Sequence, residues 1–258
     1  MIDLHTHVLP GIDDGPAELS GSLALLAAAV EEGTAALAAT PHVRPDHPDV
    51  VPGELAGRVS AVAAAAAEAG LEIDVVAGGE VDLVWAQQAS EDELRAVSFC
   101  QQGRDLLVET PYGELSERFE DQLFHLSVRG YRVLLAHPER SRTFQRDRRR
   151  LATLVEHGTL LQVTAVSLSS TERRSRSRRL ALELVRNELA HVIASDAHGG
   201  HIPRAGLSAG VEAAARIAPR RAQWMVTDAP AAILAGDPLP PAPVESGGGR
   251  GLARLRRG

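Results

Sequence analysis

The chain has 258 residues and a formal net charge of -7, enough length for one large α/β core and none of the basic excess that a nucleic-acid binder needs. Its single cysteine, Cys100, excludes an internal disulfide, and the scarcity of aromatics leaves the core to small and aliphatic side chains. The opening MIDLHTH has neither the basic nor the apolar region of a secretory signal, and no apolar run approaches the roughly 18 residues of a membrane span, so a cytoplasmic protein without membrane insertion is expected.

An apolar run at 2–4 predicts a first strand, and the pattern over 16–32 a first helix. Gly15-Pro16 marks its start, with proline at the first helical position and Glu18 in the first turn. A strand at 35–39 precedes a helix at 53–69, and a strand at 73–77 precedes one or two short helical turns within 81–100. Strands at 105–108, 132–136 and 160–163 are followed by helices at 117–129, 147–157 and 172–188. A last strand at 191–194 leads to helices at 208–217 and 219–235. Gly33, Gly70, Gly130 and Gly158 each follow a helical pattern, as a C-terminal cap does. This rhythm of about seven β/α units predicts a parallel sheet covered by helices, closed as a barrel or open and doubly wound. From 237 the chain turns rich in Pro, Gly and Arg, which predicts a disordered tail over 237–258 behind one domain over 1–236.

The residues able to bind metal gather at one kind of place. His5 and His7 follow the first strand and His42 the second; Glu80 follows the third; Glu109 and His137 end the fourth and fifth; Asp196 and His198 follow the seventh. In a parallel β/α fold all of these reach the C-terminal face of the sheet, where active sites sit. Imidazole with carboxylate and no thiolate suits Zn, Mn or Fe, and the number of ligands implies two or three ions that activate water and clamp a phosphoryl group.

His5-Thr6-His7, Asp13-Asp14-Gly15, Thr40-Pro41-His42, His137-Pro138-Glu139-Arg140 and Ser195-Asp196-Ala197-His198 together resemble the polymerase and histidinol phosphatase superfamily. Within it, HTHVLPGIDDGP, GGE, LLVETPY, GYRVLLAHPER, LLQVTAVSL and ASDAHG resemble the bacterial manganese-dependent protein-tyrosine phosphatases of capsule and exopolysaccharide synthesis. The resemblance implies a distorted seven-stranded β/α barrel with three Mn2+ ions, Fe or Zn being alternatives. It implies one ion on His5, His7, Glu80 and Asp196, a second on Glu80, Glu109 and His137, and a third on Asp14, His42 and His198. Arg140 and Arg204 become the candidate phosphate-binding residues, Arg204 with spacing that departs from the family pattern. The implied substrate is a phosphotyrosine protein, a tyrosine kinase of polysaccharide synthesis, cleaved by metal-activated hydroxide.

Plainer readings stand beside these. Asp13-Asp14-Gly15 also suits a turn, Glu109 also suits a salt bridge to an arginine, and His137 also suits a strand-end packing position. His47, His125, His157 and His191 read as surface or packing residues, with His201 left open. The arginine runs at 140–150 and 173–179 read as solvated helix faces, with an acidic phosphopeptide as the alternative ligand. Cys100 lacks a phosphate loop and is no thiol nucleophile. Other functions compatible with the ligands are a small-molecule phosphatase such as one for histidinol phosphate, a 3′ nuclease, which the acidic charge disfavours, and a metal-binding regulatory module without turnover.

Overall fold

The computed structural model describes residues 1–172, 174–199 and 206–245. The described residues form nine strands: β1 Ile2–Thr6, β2 Ala36–Ala39, β3 His42–Val43, β4 Asp74–Ala77, β5 Glu80–Val81, β6 Asp105–Val108, β7 Arg132–Leu135, β8 Leu160–Thr164 and β9 Val192–Ala194. They pair in parallel as two sheets, β1-β2-β4 and β3-β5-β6-β7-β8-β9. The seven continuous strands of the sequence reading are therefore corrected to nine. The expected second and third strands end where expected, at Ala39 and Ala77; the chain then breaks at Thr40–Pro41 and at Gly78–Gly79 and adds a two-residue strand, β3 or β5, to the large sheet.

Both breaks have a local cause. Pro41 has no N–H to give to a ladder. Gly79 lies where a Cβ would stand 2.8 Å from Val43 Cγ2 and 3.0 Å from Val97 Cβ, so only a bare backbone fits. The outer edges of the two sheets meet between β1 and β9. Thr6 bridges Ala197, the His7 N–H donates to Ala197 O at 2.8 Å, and the Asp196 N–H donates to His5 O at 2.8 Å. The buried Asp3 carboxylate reinforces this seam by accepting from the Ser195 N–H at 3.0 Å.

Alternation along the strands divides the apolar residues in two. Leu4, Ala38, Leu107, Leu134, Leu160 and Val192 form one cluster with Phe99 and Ile233. Leu37, Leu106, Val108, Val133, Leu161 and Ile193 join the larger cluster beneath the helices. The first helix, Leu19–Glu31, begins later than Gly15-Pro16 implies. The loop before it folds back against β1, where a Cβ on Gly15 would stand 2.3 Å from His7 O. The last predicted helix is two, Pro219–Trp224 and Asp228–Ala235. Short helices at Arg142–Arg146 and Ala165–Ser169 have no counterpart in the sequence reading. Residues 237–245 form no helix or strand, yet Leu239 and Ala242 pack on the core. Glu245 Oε1 accepts the Arg220 and Arg221 N–H groups at 2.8 and 3.0 Å, capping the helix at Pro219. No helix among the described residues is long and apolar enough to cross a membrane.

Candidate metal centre

All nine residues singled out as metal ligands reach one face, at the C-terminal ends of the strands or just beyond. They fall into four overlapping groups: His7, Asp14, His42 and His198; His5, His137 and Asp196; His5, His7 and Glu80; and His42, Glu80 and Glu109. Arg140 stands beside them. Arg204 and His201 lie outside the described residues.

The tightest arrangement is built by β1 and β5. Two residues apart on β1 and just beyond it, His5 and His7 share one face. His5 Nδ1 donates to Gln162 Oε1 at 3.1 Å, and His7 Nδ1 donates to Asp13 Oδ2 at 2.7 Å. Those bonds turn both Nε2 atoms toward a common point, 3.3 Å apart. His5 Nε2 lies 3.3 Å from Glu80 Oε2 and 3.2 Å from Asp196 Oδ1; His7 Nε2 lies 3.5 Å from each of the same oxygens. An ion with bonds of about 2.1 Å separates neighbouring ligand atoms by roughly 3.0–3.4 Å, so this spacing is that of a coordination shell. A second focus lies at Asp14 Oδ1, 3.5 Å from His42 Nε2 and 3.3 Å from His198 Nε2. Glu80 links the foci: His137 Nε2 is 2.7 Å from its Oε1, and His42 Nδ1 is 3.0 Å from its Oε2.

The electrostatics call for a cation. Glu80 is fully buried, and its Oε2, though close to His42 Nδ1 and His5 Nε2, accepts no well-aligned hydrogen bond. Burial opposes its charge, yet His5 and His137 hold its carboxyl well below the usual range. Burial likewise opposes charge on Asp196, but His5, His7 and Arg140 hold it low. Burial also opposes a proton on His7, but Asp13, Asp196 and Glu80 raise its pKa to about 10. Positive charge thus collects on His5 and His7 between buried carboxylates, which is where a metal ion fits. Glu109 is pushed up by burial and by the Glu80 charge.

Two backbone features aim these groups. His137 (φ 36°) and Asp196 (φ 57°) adopt left-handed conformations that side-chain-bearing residues rarely occupy, and both sit where a strand ends.

Several contributors escaped the sequence reading. Asp13 positions the site: besides His7, it accepts from the His42 N–H at 3.1 Å and the Gly15 N–H at 3.0 Å, and its carboxyl is held at about 2. Gln162 orients His5 and also accepts the His137 N–H at 3.3 Å. Arg44 grips Glu109 with two bonds of 3.0 and 3.2 Å, the arginine salt bridge that the plainer reading of Glu109 anticipated. His47, read as a surface or packing residue, stacks on His42 with ring centroids 5.2 Å apart. Tyr112 lies parallel to His137, with centroids 5.6 Å apart and planes 13° apart, and accepts from Arg140 at 3.0 Å. Arg140 also reaches Asp196 Oδ2 at 2.6 Å. An Asp-x-His pattern carries the signal for Asp196 and His198; no comparable spacing marks Gln162 or Tyr112.

A parallel α/β scaffold with this His–carboxylate cluster and an arginine at its edge is that of a metal-dependent hydrolase. The chain belongs to the CpsB/CapC family of capsular polysaccharide synthesis, whose model matches residues 1–234. It is 30% identical over 199 residues to tyrosine-protein phosphatase YwqE of Bacillus subtilis, covering 77% of each chain. It is 28% identical over 198 residues to CapC of Staphylococcus aureus, again covering 77% of each. Among solved structures, a chain from the work on YwqE and on CpsB of Streptococcus pneumoniae, described as metal-dependent tyrosine phosphatases, superposes with a TM-score of 0.82 at 26% identity. That match covers 95% of this chain and 100% of the other.

Proposed function

We propose that this protein hydrolyses phosphotyrosine on a protein substrate, with metal ions held by His5, His7, Asp14, His42, Glu80, Glu109, His137, Asp196 and His198. The observation that carries the reading is the convergence of His5 Nε2, His7 Nε2, Glu80 Oε2 and Asp196 Oδ1 at coordination spacing. Three Mn2+ ions are the assignment, with Glu80 central between the foci; Fe or Zn also suits these donors. The two sheets are read as one distorted seven-unit barrel, joined through the β1–β9 seam. When bound, the metal supplies an activated water and neutralises phosphoryl oxygens.

The chain's own groups do the rest. Arg140, charged and half-buried, donates to the phosphoryl oxygens, a role for which the guanidinium fork is suited. Its present partners, Asp196 and Tyr112, hold it at the mouth of the cluster. Arg204 is the second candidate for that role. Tyr112 is half exposed and offers a ring face beside the phosphate position, where an aryl group can stack. Water attacks phosphorus, the P–O bond to the phenol breaks, and tyrosine and inorganic phosphate leave. The relatives named as tyrosine phosphatases favour this substrate over histidinol phosphate, and capsule synthesis in the family's description supports a tyrosine kinase of that process as the partner. The test is to compare kcat/KM of manganese-loaded protein on a phosphotyrosine peptide and on histidinol phosphate. The peptide is expected to be the better substrate; preference for histidinol phosphate overturns the assignment.

A further inference from the structure

Two arginine-rich stretches far apart in the sequence, 140–150 and 174–179, meet in space. Helix Arg142–Arg146 and helix Arg176–Arg186 come together across Gln145, whose Nε2 donates to Glu139 O at 2.8 Å and to Ser177 Oγ at 3.2 Å. Between them lies a cavity of about 310 Å³ lined by Gln145, Arg146, Arg148, Arg176, Arg179 and Leu180. Arg146 pairs with Glu114 at 2.6 Å and Arg148 with Glu183 at 2.5 Å. Among the described residues Arg176 and Arg179 form no ion pair. Both are exposed and lie in a helical first turn that contains no acidic residue, where carboxylates are normally favoured. Solvated faces would turn their arginines outward along separate helices; here two runs face one cavity, on a chain of net charge -7.

We infer that this cavity receives an acidic segment of the same protein whose phosphotyrosine occupies the metal centre; the inference rests on the phosphotyrosine reading above. Arg140 begins the segment that leads into the cavity wall. The five-residue helix Arg142–Arg146 is about 7.5 Å long. Extended substrate residues span about 3.3 Å each, so about two or three of them link the two positions. The docking therefore selects an Asp or Glu about two or three residues from the phosphotyrosine, by charge attraction at a rim that is sensitive to salt.

The experiment uses the manganese-loaded full chain and two phosphotyrosine peptides, one with Asp and Glu about two and three residues away and one with Ser and Gln there. Exposed ion pairs are worth roughly two- to fivefold each, so the acidic peptide should have a kcat/KM about tenfold higher. That advantage should vanish in an Arg176→Gln/Arg179→Gln double variant and in about 0.5 M salt, while turnover of a small aryl phosphate stays unchanged. Equal rates on the two peptides, with aryl phosphate still cleaved, overturn the docking alone. Double-variant-sensitive binding to phosphatidylserine vesicles without a peptide preference also overturns it, in favour of a membrane. No turnover of any phosphoester overturns the phosphotyrosine reading beneath it.

Discussion

Asp13 offers the sharpest probe of how the site is assembled. Its carboxylate holds three N–H groups, those of His7 Nδ1 at 2.7 Å, Gly15 at 3.0 Å and His42 at 3.1 Å. The bond to His7 fixes the tautomer that leaves Nε2 free to coordinate. In Asp13→Asn the amide oxygen can keep His7 and His42, but its NH2 then faces the Gly15 N–H, and charge assistance is lost. Charge-assisted bonds are about twice as strong as neutral ones, so the variant forfeits about 1–2 kcal/mol of positioning. Asp13→Ala leaves all three donors without an acceptor. Against burial, the bond to His7 and its charge lower the carboxyl from the ordinary 3.8 to about 2, a stabilisation on the order of 2 kcal/mol. Loss of a group that orients a metal ligand typically weakens metal binding about 10- to 100-fold. Manganese affinity by calorimetry on stripped protein should fall about tenfold for Asp13→Asn and up to about a hundredfold for Asp13→Ala. Wild-type affinity in a folded Asp13→Ala protein would falsify this account of His7.

Tyr112→Ala removes the ring beside Arg140 and should raise KM for an aryl phosphate about two- to tenfold. Tyr112→Phe should keep most of that binding, and an alkyl phosphate should not respond to loss of the ring; an equal effect of Tyr112→Ala on both substrates rules out the stacking role. His191 reports on pH. Burial, and then the nearby Arg221 charge, lower its pKa from 6.5 to about 4, and its Nδ1 accepts the Leu161 N–H at 3.1 Å. The fold favours the neutral ring, so stability is complete above about 6.5 and falls as the unfolded chain takes up a proton, with the loss levelling off near pH 4. Urea unfolding should show about 2 kcal/mol lost from this group between pH 7.5 and 5. That component should be absent in His191→Gln; an identical acid loss in the variant contradicts the assignment.

The strands were largely legible because buried parallel strands read as short apolar runs between capped helices. The run at 105–108 matches β6 residue for residue, and Gly33, Gly70, Gly130 and Gly158 all adopt the positive φ that a helix C-terminus uses. The breaks at Pro41 and Gly79 were less visible, because whether a strand changes sheets depends on neighbours such as Val43 and Val97 that lie elsewhere in the chain. The metal-binding residue types stood out through their repeated place after strands. The residues that aim them did not. Gln162 lies inside a buried strand, Tyr112 in a loop, and Arg44 acts on Glu109 across 65 positions. Their roles come from convergence in space, and no spacing in sequence encodes it. Asp13 and Asp14 are adjacent, and only the loop folded over His7 separates their tasks: Asp13 holds His7 in place, and Asp14 faces His42 and His198.

Metal dependence is the claim on which everything else rests. Protein stripped with chelator, dialysed and assayed on a phosphotyrosine peptide should be inactive, and should regain activity as Mn2+ is added back, saturating near three ions per chain. Full hydrolysis by protein shown to be metal-free would contradict the account.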